Sequence, residues 1–151
     1  MSVQIAKQRQ INPNEVSEGL YALSCGPDSR VKRCAACKVN GVRYNTIDRE
    51  KHLRTQNSGV MAQGMHDNGQ EIDYDGVLRQ VIQLQYPSSL KLDRTVVIFK
   101  CDWYNQVSKI VSLRTDPCFK SINIRSYWYK SDPYILANQS TKIFYLHDND
   151  N

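Results

Sequence analysis

Three groups of residues in this 151-residue chain have the types and spacing to do chemistry. Cys34-Ala35-Ala36-Cys37 offers two thiols, half of a zinc knuckle or a redox pair. Asp73, Asp75 and Asp102 offer carboxylates of the kind that hold paired metals in a nuclease, and a strand would put Asp73 and Asp75 on one face. Trp103-Tyr104 and Tyr127-Trp128-Tyr129 gather both tryptophans and three of the nine tyrosines. That is enough π surface to stack nucleic-acid bases or to cage a methylated lysine.

Each group also has a plainer use. A zinc site needs a second pair of ligands, and Cys25, Cys101, Cys118, His52, His66 and His147 are too scattered to supply one. Strand positions three apart point to opposite faces, so the sulfurs of Cys34 and Cys37 are expected to diverge. Carboxylates beside a strand bend are commonly solvated, and aromatics in a small β domain commonly pack its core. The sequence also contains no glycine-rich phosphate loop, no nucleophile elbow and no paired-histidine zinc motif. No cofactor, metal or catalytic residue is expected, and the protein is expected not to be an enzyme.

Charge gives the sharper lead. The chain carries 20 Lys and Arg against 15 Asp and Glu, a net of +5. Residues 1–29 have a net of −1 and residues 55–151 are neutral. Residues 30–54 hold eight basic and two acidic side chains, a net of +6. The cationic surplus therefore sits in 25 residues, which excludes a uniformly basic, tail-like protein. Five cysteines, an odd number, fit a reducing intracellular setting. No apolar run approaches the ~18–20 residues of a membrane helix, and no signal-peptide core follows Met1, so no membrane partner is expected.

The elements that would position these residues follow from local pattern. Residues 1–11 are polar and aperiodic, a disordered terminus. Asn12-Pro13-Asn14-Glu15 reads as a helix start, with Val16, Leu20 and Leu23 as its apolar stripe and Gly26-Pro27 as its stop. A helix over roughly 13–24 follows. Asn40-Gly41 favours a type I′ turn and predicts a β-hairpin at 31–47. Its register pairs Val39 with Val42, Lys38 with Arg43, Cys37 with Tyr44 and Ala35 with Thr46. Ala35, Cys37, Val39, Val42 and Tyr44 then share a core face, and Lys32, Lys38, Arg43 and Arg49 share the other.

Further strands are expected at Val60–Ala62, Ile72–Tyr86, Thr95–Tyr104, Phe119–Ile124 and Lys142–His147. Gly76 is the expected bend or bulge of the second, with Leu78, Ile82, Leu84 and Tyr86 on one side. Asn105–Pro117 reads as a loop and Tyr134–Ala137 as a strand or helical turn. The fold class is mainly β: a small curled antiparallel sheet, or a barrel of SH3-like or BAH-like type, with one short N-terminal helix. Residues 12–148 form a single domain, a basic helix-hairpin segment (12–54) and a core (55–148).

Arg54-Thr55-Gln56-Asn57-Ser58-Gly59-Val60 carries a resemblance. It is similar to the signature of the uncharacterised domain downstream of the transposase in plant CACTA-class (Enhancer/Suppressor-mutator type) transposons. The likeness continues through Glu71-Ile72-Asp73-Tyr74, Gly76-Val77-Leu78 and Val97 to Tyr104, then Asp132 to Ala137 and Ile143 to Leu146. Leu20 to Leu23 with Gly26-Pro27, and Val39 to Tyr44, extend it upstream, so it spans roughly residues 18–148. Family members lack the Cys34/Cys37 pair, and they run past the last block into a further tryptophan-containing strand that this chain does not include. The resemblance implies a plant source, a transposon-derived gene and a nuclear setting, with strand transfer performed by another part of the polyprotein. It implies no activity for this domain.

The expected function is therefore a non-catalytic accessory module that binds nucleic acid without sequence specificity. Lys32, Lys38, Arg43, Arg49, Lys51 and Arg54 form its contact surface. The alternative is a protein-interaction or chromatin-reader-like module, partnered by transposon proteins or chromatin, that uses the aromatic patch of Trp103, Tyr104, Tyr127, Trp128 and Tyr129. A metal-dependent nuclease built on Asp73, Asp75 and Asp102, or a decayed remnant, are the remaining readings.

Overall fold

Two long strands form the spine of the molecule. β5 (Glu71–Tyr86) and β6 (Arg94–Tyr104) pair antiparallel from Gly76 with Trp103 to Tyr86 with Arg94. The computed structural model describes residues 17–65, 67–87, 94–105, 122, 124–125, 127–128, 130 and 132–146. Along one edge of the spine, β5 pairs first with β4 (Gly59–Met65) and then with β1 (Lys32–Cys34). Along the other edge, β6 pairs with β7 (Tyr127–Trp128) and with β8 (Tyr134–Leu136). A 3₁₀ turn (Ala137–Gln139) leads to β9 (Ser140–Lys142), which pairs with the free edge of β4. These seven strands make an open antiparallel sheet, and no barrel closes among the described residues. The curled sheet is the form of the β class that this chain adopts.

A separate two-stranded sheet lies over one face. β2 (Ala36–Val39) and β3 (Val42–Asn45) pair in the register that the Asn40-Gly41 turn dictates, with Lys38 opposite Arg43 and Cys37 opposite Tyr44. The turn residues have positive φ, 49° at Asn40 and 81° at Gly41, as a type I′ turn demands. The backbone N–H of Thr46 donates to Ala35 O at 2.9 Å, which completes the ladder. Tyr44, Cys37 and Val39 pack against Val60, Leu78, Val81, Phe99, Cys101 and Trp103 of the large sheet, and this is the core. Val42 and Ala35, expected on that face, are exposed, one at the tip and the other at the bend before β2.

The expected hairpin at 31–47 is shorter than the sequence pattern suggested. A bend at Ala35 ends β1, and Lys32, Arg33 and Cys34 join the large sheet opposite Gln83, Ile82 and Val81. The same bend corrects the reading of the two cysteines. The chain between them is not one continuous strand, so both Cys34 and Cys37 turn to the core and lie near each other. Burial, with Cys34 as a secondary influence, pushes the Cys37 thiol up to about 11, which makes it inert rather than nucleophilic.

The bulge of β5 is also not where the glycine suggested. Gly76 pairs in register with Val60 and Trp103, and the register shifts at Arg79, between Leu78 and Gln80. One extra residue flips the alternation, so Leu78 and Val81, three apart, both reach the core with no exposed surface. Leu78 is thereby separated from Ile82, Leu84 and Tyr86, with which plain alternation had grouped it. Gly76 serves close approach instead: a Cβ there would stand 2.5 Å from Asp102 O and 2.8 Å from the Trp103 ring.

Helix α1 (Glu18–Cys25) is capped by Ser17, whose side chain accepts from the Leu20 N–H, and Gly26 closes it at φ 75°. The expected helix start at Asn12–Glu15 and the expected disordered terminus over 1–11 lie outside the described residues. The expected stripe does not face the protein, since Leu20 and Leu23 are exposed and Ala22 is the buried residue. Helix α2 (Ile47–Glu50) is one turn, capped by Thr46. Among the described residues no helix is long and apolar enough to cross a membrane. The strand at Phe119–Ile124 falls almost wholly outside the described residues, as does the loop after Asn105. The predicted strand Lys142–His147 starts earlier, at Ser140, and ends at Lys142.

Candidate nucleic-acid interface

Of the six basic residues singled out from the sequence, Lys32, Lys38, Arg43 and Arg49 occupy four different elements, and Lys51 and Arg54 follow α2. Lys38 and Arg43 are directly opposed on the hairpin, and both are exposed on its solvent face. Cross-strand neighbours of this kind have Cβ atoms roughly 4.5–5.5 Å apart. Neither makes an ion pair among the described residues, so the two like charges face water together. Lys32 belongs to the large sheet and Arg49 to α2, both exposed, so the expected single face of four cations is a pair with two flanking charges. Lys51 is tied to Asp48, Nζ to Oδ1 at 3.1 Å, which offsets part of its charge. Arg54 is exposed in the loop that follows. Arg33, not singled out from the sequence, is exposed beside Lys32, and Arg30 pairs with Asp28 at 3.3 Å.

The aromatic patch does not form as one surface. Consecutive strand residues point to opposite faces, so Trp103 enters the core at 4% exposure while Tyr104 lies on the far side of the sheet. Tyr104 stacks on Tyr127 with ring centroids 5.6 Å apart and meets Tyr145 edge-on at 5.5 Å. Tyr145, missed by sequence reasoning, donates from its hydroxyl to Gly76 O at 2.7 Å. Burial pushes the Tyr104 phenol up to about 12 and raises that of Tyr145 as well. Trp128 is backbone-paired with Trp103, and Tyr129 lies outside the described residues.

The carboxylates fare likewise. By register, Asp73, Asp75 and Asp102 share the sheet face away from the hairpin. Asp102 accepts a hydrogen bond from Arg79 Nε, an ion pair that lies across the bulge. No group of three or more His, Cys, Asp or Glu among the described residues is placed to hold a metal ion.

The run from Arg54 to Val60 is where the chain is tied together. Gln56 donates from Nε2 to Tyr145 O at 3.2 Å and accepts from the Tyr145 N–H at 2.6 Å, pairing a side chain with the backbone. Asn57 accepts from the Asn45 N–H through its backbone oxygen and from Lys142 Nζ through its side chain. Ser58 O accepts from Leu78 N–H at 2.8 Å, beside the bulge. Gly59 lies against the Ile143 carbonyl, and a Cβ there would collide with it. Through the Asn45–Asn57 bond the end of the hairpin is tied to this seam.

Residues 82–151 match the family model of a domain of unknown function, DUF4216. No curated protein and no solved structure matches the chain. The match takes in the end of β5, all of β6 to β9 and the three clustered tyrosines Tyr104, Tyr127 and Tyr145, and it leaves the basic hairpin outside.

Proposed function

We propose that this protein is a non-catalytic module that binds the nucleic-acid backbone electrostatically, through the solvent face of the β2–β3 hairpin. The observation that carries the reading is the Lys38–Arg43 pair, two exposed like charges in direct cross-strand register, neither of them in an ion pair among the described residues. Such a pair is mildly repulsive in isolation and becomes favourable when a phosphate lies over it. Lys32, Arg33, Arg49 and Arg54 add long-range attraction around it. Contacts of this type position a protein on a duplex or single strand and read no bases, so the binding has no sequence specificity.

The setting belongs to the same proposal. The Arg54–Val60 signature and the blocks that follow it support a plant, CACTA-type, transposon-derived protein acting in the nucleus, in which this domain accompanies a separate catalytic one.

A salt titration tests the reading. Each phosphate contact contributes a slope of about −0.9 in log K against log salt on duplex DNA. The double variant Lys38→Glu/Arg43→Glu is expected to flatten the slope by about 2 and to weaken binding on every sequence alike. Binding without salt dependence, or intact in the double variant, would remove the hairpin from the interface.

A further inference from the structure

A second site lies on the hairpin side of the large sheet, in a cavity of about 280 Å³ bordered by Ala62, Gly64, Tyr74, Trp103, Asp132 and Tyr134. Small residues and glycines make its room. Ala62 and Gly64 of β4 stand where larger side chains would fill the space, and the Tyr74 ring lies directly over Gly64, where a Cβ would collide with it. The Trp103 ring lies against Gly76 in the same manner. Two aromatic side chains thus border one cavity from neighbouring strands, with the exposed carboxylate of Asp132 and the half-exposed Tyr134 at its edge.

We propose that this cavity binds a methylated ammonium group, the head of a methylated lysine side chain or of a small quaternary amine. The chemistry is that of the lining. Aromatic rings attract a diffuse cation through their quadrupole and tolerate its methyl groups, which an unmethylated, strongly hydrated ammonium does not offer. The Asp132 carboxylate supplies the complementary charge. The alternative reading of the sequence groups Trp103 with its sequence neighbours in one patch. The structure instead gives it different companions, Tyr74 and Tyr134, which come from distant points of the chain.

Isothermal titration calorimetry on the full chain tests this with four probes. These are the tetramethylammonium ion, a peptide containing trimethyllysine, the unmethylated peptide, and the peptide with an uncharged tert-butyl isostere of trimethyllysine. The charged, methylated probes are expected to bind at least about 5-fold more tightly than the isostere, whose shape is the same and whose cation is absent. Whichever of the ion and the trimethyllysine peptide binds more tightly identifies the source of the ammonium. Asp132→Asn, which sits on the surface and leaves the core untouched, is expected to weaken binding about 3-fold, and Tyr74→Leu by more. Lys38→Glu/Arg43→Glu should leave it unchanged, which separates this site from the hairpin. Equal binding of trimethyllysine and its isostere overturns the proposal, as does the absence of heat at millimolar probe, or Asp132→Asn and Tyr74→Leu variants that melt and bind as the parent does.

Discussion

Cys37 and Tyr104 hold their protons in the folded protein for the same leading reason: burial disfavours the anion, and at Tyr104 it outweighs the opposing pull of Arg79. Burial takes the thiol from 9.0 to about 11 and the phenol from 10.0 to about 12, and it raises Cys101 and Tyr145 in the same direction. The unfolded chain loses these protons at the ordinary values, so the folded state is favoured fully below about pH 9 and progressively less above it. The urea midpoint should therefore be flat from about pH 7 to pH 9 and fall steadily to pH 11. Cys37→Ser should make that fall shallower, leaving the share that Cys101 contributes from the same onset. A midpoint unchanged at pH 11 would contradict the burial of these groups. Little of this was legible in the sequence. That both cysteines face the core depends on a bend at Ala35, a residue with no turn preference of its own. The division of Trp103 from Tyr104 needed only the period of a strand, and the companions each then finds come from residues more than 20 positions away.

The hairpin and the long strand show opposite degrees of legibility. Asn-Gly fixes a two-residue turn, and a two-residue turn fixes every partner in the ladder, so the register could be written from the sequence alone. A bulge has no such marker. The polar pair Arg79-Gln80 between the apolar pairs Val77-Leu78 and Val81-Ile82 is its only trace, and Gly76 is the more conspicuous residue nearby. The bulge makes a sharp distinction at one position. Arg79→Ala loses an ion pair whose members are each about one-third exposed, 37% and 36%, and should cost no more than about 1 kcal/mol in urea unfolding. Deletion of Arg79 removes the extra residue and leaves Leu78 and Val81 two apart on one face, whereas deletion of both Arg79 and Gln80 makes them adjacent and puts them on opposite faces. The double-deletion variant should therefore lose its cooperative transition, while the single-deletion and alanine variants keep it. A double-deletion variant that unfolds cooperatively near the parent midpoint would show that the strand slips to absorb the change.

At the scale of the whole molecule, the charge and the fold divide along the chain. The cationic surplus sits in the segment that forms β1, the hairpin and α2, and the neutral remainder forms most of the sheet. The mainly β class and the position of most strands were legible because β-branched and aromatic runs are separated by clear turns. The sheet order was not, since β4 and β1 share one edge of β5, and β9 returns to β4 from the other end of the sequence. That return decides which piece of the chain can stand alone. Residues 82–151, the part that matches the family, contain β9 but lack β4, its partner among the described residues. They also lack Leu78, Val60 and Tyr44, which cover Phe99 and Cys101. Expressed by itself, that segment should give a coil-like far-ultraviolet spectrum and no thermal transition. A cooperative melt of the fragment would contradict the pairing described here. The core that the matched segment packs into is thus completed by residues outside it, and Tyr44 of the charged hairpin is one of them.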